Sequence, residues 1–296
     1  MKILITGANG FLGQHLSRDL KNDHLLFATG KGEKRIPFDD VIYIPSDITD
    51  INSVETLLNK VQPDVIIHAA AMSRPDECDV NREMCDRINV AGTKYIVDAA
   101  QELKQLPHFI YISTDFVFGN GGPHDEDATP APLNYYGESK LKAEQMTAAS
   151  SLPYTIVRPV FMYGEIWDGM RPTFLHWIKQ NLEEGKSVKV VSDQVRTPTY
   201  VGDICKGIAS IADKKATGLF HLAGEERLSP YDMAVHFAKF AGLDDSLITP
   251  VTAETFKEPV QRAKQGGLVI DKAKNYLHFY PISYEEGMKN FKDRKG

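Results

Sequence analysis

Lys2-Ile3-Leu4-Ile5-Thr6-Gly7-Ala8-Asn9-Gly10-Phe11-Leu12-Gly13 begins as an apolar run and then breaks into glycines at G-x-x-G-x-x-G spacing. The run Lys2–Thr6 reads as a strand. Gly13–Leu20 reads as the helix after it, with Leu12, Leu16 and Leu20 on one face. Gly7 permits a tight turn, Gly10 lets backbone approach a phosphate with no side chain between, and Gly13 lets the helix pack close to the strand. The helix N-terminus then offers unpaired N–H groups to an anion. A strand before the triplet and a helix after it are the context in which such a turn binds a dinucleotide. With Asn9, Phe11 and Leu12, these glycines form the expected pyrophosphate cradle.

The same rhythm continues outward. Strands are expected at Leu25–Thr29, Val41–Pro45, Val65–His68, Phe109–Ser113 and Thr155–Arg158, and helices at Ile51–Lys60, Met84–Leu103 and Tyr136–Ala149. Short runs that are apolar on both faces and separated by helices indicate a buried parallel sheet covered on each side, an α/β protein. After Pro159 the pattern loosens. Phe174–Glu184, Val201–Ala212 and Ser229–Ala241 read as helices, and Val188–Val191 and Gly218–Leu222 as strands. Residues 1–160 are expected to bind the dinucleotide, with parts of 187–224 returning to that unit, and 161–296 to form mainly a smaller substrate-binding region.

Composition narrows the function classes. The 296 residues carry 34 Lys plus Arg against 40 Asp plus Glu, a net charge of -6. That excess supplies no field for nucleic acid or an anionic membrane. Cys78, Cys85 and Cys205 match neither a disulfide framework nor a metal pattern, so reduced thiols in a cytoplasmic protein are expected. No apolar run approaches a membrane span of about 20 residues, and no signal-peptide pattern precedes the first strand.

Two further segments bear on chemistry. The second strand ends Ala28-Thr29-Gly30-Lys31, without the acidic residue that would grip the ribose 2′-hydroxyl of NAD. Lys31, with Lys34 and Arg35 nearby, favours NADP(H) and leaves NAD(H) open. Ala69-Ala70-Ala71, after the fourth strand, offers small side chains where a cofactor would cross the sheet edge. Tyr136-Gly137-Glu138-Ser139-Lys140 is Y-x-x-x-K, which places a phenol and an ammonium on one helix face. A phenol titrating near about 10 exchanges protons poorly at neutrality, and a nearby ammonium lowers that value. Thr114, at the C-terminal end of a parallel strand, can hydrogen-bond the same substrate oxygen, with Ser113 as the neighbouring rival. Tyr135 has no lysine four residues on and is the poorer acid.

The glycine spacing and the Y-x-x-x-K helix resemble the extended short-chain dehydrogenase/reductase family, which implies a Rossmann-type doubly wound sheet. Ser113-Thr114-Asp115-Phe116-Val117-Phe118, Pro132-Leu133-Asn134-Tyr135-Tyr136-Gly137 with Lys140, and Asp193-Gln194-Val195-Arg196-Thr197-Pro198-Thr199 are similar to the dTDP-4-dehydrorhamnose reductases, from Lys2 to about Asp271. The resemblance implies catalysis by Thr114, Tyr136 and Lys140, adenine contacts from Asp47 and Ile48, and a 4-keto nucleotide sugar as substrate. Phe116, Phe161, Arg196 and Arg262 are the expected substrate contacts. Each arginine is open between gripping a diphosphate and being a surface charge. A homodimer is left open, and no metal is expected.

Departures from that pattern bear on the substrate. Phe11 stands where these reductases often have Gln, Phe161 where they have Trp, and Arg262-Ala263 where they have Arg-Pro. Nucleotide-sugar dehydratases carry Asp-Glu after the Thr, but Asp115 is followed by Phe116, so dehydration is not expected. Two alternatives stay open: a nucleotide-sugar epimerase that retains its cofactor, and a non-catalytic NADP-binding subunit. The regulatory subunit of methionine adenosyltransferase shares a stretch like Pro130–Asn134. His68 is read as a packed core histidine, His124–Asp127 as a solvated turn, and Asn89 as either a structural residue or part of a proton path.

Overall fold

The computed structural model describes residues 1–167, 169–256 and 258–291. Its centre is a parallel sheet of seven strands, five of them running β1 (Lys2–Thr6), β2 (Leu25–Thr29), β3 (Ile42–Tyr43), β4 (Val65–His68) and β5 (His108–Ile112) along the chain. β6 (Tyr154–Pro159) follows, then β7 (Met162–Tyr163), β8 (Val188–Val191), β9 (Thr199–Tyr200), β10 (Gly218–Leu222) and β11 (Ile248–Val251). The spatial order of the large sheet is β10-β6-β5-β4-β1-β2-β3. The order reverses between β1 and β4, which leaves a crevice at their C-terminal ends. Ile3, Leu4 and Ile5 of β1 and Val65, Ile66 and Ile67 of β4 are fully buried, the mark of strands covered on both faces.

The helices of the first half are α1 (Phe11–Leu20), α2 (Ile51–Val61), α3 (Pro75–Val80), α4 (Arg82–Cys85), α5 (Gly92–Gln101) and α6 (Tyr135–Ala148). The long helix expected over Met84–Leu103 is interrupted by a π-helical turn at Asp86–Ala91. There Asn89 turns its amide out of the ladder to the backbone of Met72, accepting from its N at 2.8 Å and donating to its O at 3.1 Å. The third strand is shorter than expected, although Ile44 N and Ser46 N still donate to Ala28 O at 3.0 Å and Gly30 O at 3.2 Å and keep the chain beside β2 past Pro45.

Beyond Pro159, α7 (Phe174–Glu183), α8 (Val201–Lys214) and α9 (Pro230–Ala241) divide between two cores. α8 packs its Ile204, Ile208 and Ile211 into the core that also holds Leu12 and Leu16 of α1, and β10 pairs with β6 in the large sheet. α7 and α9, with β8 and β11, enclose a separate core around Ile178, Val190, Met233 and Phe237. β11 went unread because Pro250 interrupts its sequence; it pairs on one side only, with β8, where a missing N–H is tolerated.

Candidate active site

A cleft of about 680 Å³ opens at the C-terminal ends of β1, β2, β4 and β5. Every residue expected at the cofactor lines it: Gly7 and Asn9 to Gly13, Lys31, Asp47 and Ile48, Ala69 to Ala71, Tyr136 and Lys140. Gly7 has φ +67, and a Cβ there would meet Ala70 N at 2.6 Å, so the turn has room for glycine alone. Gly10 is the extended residue before α1, which has no side-chain cap. The first N–H groups of α1 are therefore open to an anion. Asn9 acts through its side chain on protein rather than toward the cleft. It donates to Glu33 O at 2.9 Å and accepts from Arg35 N at 2.9 Å, fixing the loop after β2.

The charge of the cleft opposes that of the whole chain. Lys31, Arg35, Arg74, Arg87, Lys140 and Arg171 line it, against Asp47 as its one carboxylate among the described residues. Lys31 Nζ lies 2.9 Å from Asp47 Oδ2 and is largely exposed. Burial pushes the Asp47 carboxyl up. Hydrogen bonds from Lys31 and from the Thr49 N–H and hydroxyl outweigh it and hold the group at about 2. A concave, cationic, glycine-floored site with small alanines at its edge fits a dinucleotide phosphate.

The catalytic corner is set by how α6 starts. The Asn134 side chain caps it, accepting from Gly137 N at 3.0 Å. A Cβ on Gly137 would sit 2.1 Å from Phe116 O, so glycine here lets the helix press against the segment after β5. That contact sets the Tyr136 ring edge-on to Phe116, centroids 5.5 Å apart. The Tyr136 phenol is pushed up by burial, pulled back by the Thr114 hydroxyl facing it, and pushed up again by Asp115. A phenol so placed keeps its proton at neutrality. Lys140, one turn on, is buried; its Nζ donates to Ile112 O at 2.7 Å and lies 4.2 Å from the Tyr111 ring centroid. Burial lowers it to about 7, against the opposing pull of Glu144. The ammonium expected to depress the phenol is thus itself desolvated and turned to a carbonyl, and the phenol titrates high.

The RmlD substrate binding domain family matches residues 1–295. The chain belongs to this family. A crystal structure of dTDP-4-dehydrorhamnose reductase from Bacillus anthracis in complex with NADP superposes with a TM-score of 0.85 at 28% identity, covering 98% of each chain. A UDP-glucuronic acid 4-epimerase variant from Bacillus cereus, in complex with UDP-4-deoxy-4-fluoro-glucuronic acid and NAD, superposes at 0.84 with 25% identity, covering 98% of this chain and 97% of that one. Methionine adenosyltransferase 2 subunit beta from Danio rerio is 30% identical over 275 residues, 90% of this chain and 82% of that protein. The expected resemblance and the Rossmann-type parallel sheet are both borne out.

Within this RmlD-family frame the expected substrate contacts separate. Phe116 and Arg196 come together beside Tyr136. The guanidinium lies 4.8 Å from the Phe116 ring centroid and 3.9 Å from Asp115 Oδ2. Arg262 is committed elsewhere, at 2.8 Å from Asp76 Oδ1 and 3.1 Å from Glu258 Oε1. Phe161, at φ +30, packs edge-on against Phe174 with centroids 5.7 Å apart, between the two cores. Ser113 lines the cleft with a buried hydroxyl that has no hydrogen-bond partner.

The remaining candidates make hydrogen bonds within the protein. Thr93 donates to Asn89 O at 2.7 Å, so its hydroxyl accepts from His68 Nε2–H at 3.0 Å. His68 Nδ1 then accepts from the Thr6 hydroxyl at 2.7 Å, and burial holds the ring neutral, near 3. Asn89 also donates to Ser139 Oγ at 3.0 Å, tying the π-turn to α6. Tyr135 donates to Asp86 Oδ2 at 2.6 Å, away from the Tyr136 face. No metal-holding cluster occurs among the described residues, and no described helix is long and apolar enough to cross a membrane.

The linear reading missed the stretch made of residues 164–167 and 169–173, which brings Gly169, Arg171, Pro172 and Thr173 to the cleft. It is clamped to α1 by Trp167, whose indole donates to Gln14 Oε1 at 2.6 Å and packs on His15, and by Glu165, which accepts from Tyr200 at 3.1 Å and pairs with Arg18. The signal available was aromatic: Phe11, where a Gln was expected, packs edge-on against His15 and so begins this clamp.

Proposed function

We propose that the protein is an NADPH-dependent reductase of a 4-keto nucleotide sugar, with dTDP-4-dehydrorhamnose, reduced to dTDP-rhamnose, as the first substrate to test. The observation that carries this reading is the buried Tyr136 phenol facing the Thr114 hydroxyl, at the end of a cationic cleft floored by Lys140. A bound nicotinamide would supply the hydride for the carbonyl carbon. Thr114 would hold the carbonyl oxygen, Tyr136 would give it a proton, and Lys140 would orient the cofactor ribose. Phe116 and Arg196 would meet the sugar and its diphosphate, with Phe161 and Arg262 supporting that side from further out. A similar reductase carries NADP, and the lysine and arginines of the cleft suit the extra phosphate. NAD(H) is the second cofactor, since a similar epimerase carries NAD. Three unpaired, buried thiols suit a cytoplasmic setting.

The second reading is a non-catalytic, cofactor-binding subunit, favoured by the 30% identity to methionine adenosyltransferase 2 subunit beta. One assay separates the readings. NADPH oxidation is followed with dTDP-4-dehydrorhamnose, with other 4-keto sugar nucleotides and with simple ketones. Oxidation with keto-sugar nucleotides alone supports the reductase. Comparable rates with simple ketones defeat the nucleotide-sugar reading. Interconversion of sugar nucleotides without net oxidation identifies an epimerase, and tight NADPH binding with no turnover identifies the subunit.

A further inference from the structure

The helix that carries Tyr136 and Lys140 also carries a buried carboxylate with no part in the steps above. Glu144 lies one turn beyond Lys140 on the same face of α6 and is 4% exposed. Both its oxygens are taken by Arg158 of β6, Nε to Oε1 at 2.8 Å and Nη2 to Oε2 at 2.6 Å. Arg158 is itself buried, its guanidinium 4.8 Å from the Phe118 ring centroid and its Nη1 3.4 Å from His221 Nε2 of β10. Two charges are thereby removed from water. Apolar side chains of similar volume often serve stability as well or better, so fold stability alone gives no reason for this pair.

Lys140 supplies the reason. Facing its ammonium are Tyr111 from β5, Cys78 from α3, Cys85 from α4 and His68 from β4, with Tyr136 and Glu144 from its own helix. His68 is neutral, burial pushes the phenols of Tyr111 and Tyr136 up, and the Cys78 thiol is held high by Cys85 and by burial. The Cys85 thiol, in contrast, is lowered to about 7 by Cys78 and acts on Lys140 in the same sense as Glu144 but more weakly. Glu144 is the one carboxylate in this group. Because Arg158 occupies both its oxygens, Lys140 is not drawn into a direct pair. Its Nζ stays on Ile112 O at the floor of the cleft, with its other N–H groups available to a ligand.

We propose that Glu144, held by Arg158, is a positioning residue whose charge keeps Lys140 an ammonium where the cofactor needs it. The proposal rests on the reading of Lys140 as the residue that orients the cofactor. Burial alone drives Lys140 toward the neutral amine, and Glu144 exerts the largest opposing effect. A carboxylate about one helical turn away commonly moves such a group by about one pH unit or more.

The test reads Lys140 directly. Lysine labelled with ¹³C at Cε is titrated by NMR in the whole protein, and the Lys140 signal is assigned by its loss in Lys140→Arg. Glu144→Gln should lower the Lys140 midpoint by about one pH unit. Glu144→Asp, which keeps the charge, should restore most of it. NADPH affinity should fall with rising pH along the same displaced curve. An unmoved midpoint in Glu144→Gln overturns the proposal, even if the variant melts earlier, because a structural role would lower stability without touching the titration. Should Glu144→Gln leave Arg158 unpaired and the chain unfolded, Glu144→Gln/Arg158→Met removes both charges. That variant is read against Arg158→Met, which keeps the Glu144 charge: a midpoint lower in the double variant than in Arg158→Met supports the proposal, and an equal one overturns it. A protein that reduces no keto-sugar at all would still show this titration, so the two failures are distinguishable.

Discussion

The glycine-turn side of the cleft is held by backbone, whereas the side beyond Tyr136 is held by side chains from distant parts of the chain. On the first side, Gly7, Gly10 and the start of α1 come from adjacent residues, and close approaches to Ala70 and Ala8 fix their shape. On the second, Phe116 meets Arg196, and Arg262 reaches Asp76 across 186 positions. A backbone site tolerates few residues and binds a ligand part common to many proteins. A side-chain site can be rebuilt one residue at a time, and that is where substrate choice can change while the chemistry stays. The similar proteins carry the names of a reductase, an epimerase and a methionine adenosyltransferase subunit, so one fold goes with several names.

The hardest way to break the comparison is at the residue where the two sides meet. Tyr136→Phe keeps the ring against Phe116 and removes the proton donor. Turnover should fall roughly 10²- to 10⁴-fold while NADPH binding persists. Tyr135→Phe loses only the bond to Asp86 and should cost about 1 kcal/mol of stability with near-normal turnover. Steady-state rates and cofactor titrations on both variants check this, and equal losses would remove Tyr136 from its role. Next in size is Gly137→Ala. Its Cβ would collide with Phe116 O at 2.1 Å, and the backbone on both sides is packed. Denaturant unfolding should show a loss of roughly 1–3 kcal/mol or more. A neutral result would mean that α6 can shift away from the Thr114 segment.

The backbone side was legible because its residues are consecutive. Lys2 to Gly13 contains the strand, the turn and the helix start, and every residue assigned to the cofactor from short motifs lines the cleft. Thr114 and Tyr136 were legible for a related reason: each ends or opens an element that the apolar pattern marks. Arg171 was not, because it reaches the cleft on a segment with no regular periodicity, held by Trp167 and Glu165 against α1. Phe161 and Arg262 show the opposite limit. Their identities suit a ligand, and only tertiary contacts reveal that one packs between two cores and the other is engaged by two carboxylates. The state of Lys140 was likewise out of reach of the sequence, since its burial depends on Ile112, Tyr111 and Glu144 together.

That burial gives a third prediction, with a sign set by linkage. Lys140 titrates at about 7 in the fold, well below an exposed lysine at about 10.4, so below pH 7 folding buries a full charge. Lys140→Met removes the cost. The variant should be more stable than the parent by about 1–2 kcal/mol at pH 6, the gain shrinking as pH rises through 7 toward 10. Turnover should be lost throughout. Thermal melts across this range check it, and a gain that grew with pH would contradict the buried ammonium.

The smallest effect, and the sharpest test of the backbone side, concerns the phosphate that distinguishes the two cofactors. Arg35 is fixed at its backbone by Asn9 Oδ1, and its side chain lines the cleft. Lys31 is nearby but already paired with Asp47, and its side chain is 83% exposed. An exposed charge contributes at most about 1 kcal/mol, and Lys31 must leave Asp47 to meet a phosphate. Lys31→Ala should therefore weaken NADPH binding by less than about fivefold and leave NADH nearly unchanged. Arg35→Ala should weaken NADPH more, since no carboxylate competes for it among the described contacts. Both losses should shrink at about 1 M salt, where charges more than about 3 Å apart are screened. Fluorescence titrations of NADPH and NADH at low and high salt make the measurement. Equal affinities for the two cofactors in the unmutated protein would show that these cations do not select the phosphate, and that the cleft recognises only the dinucleotide backbone common to both.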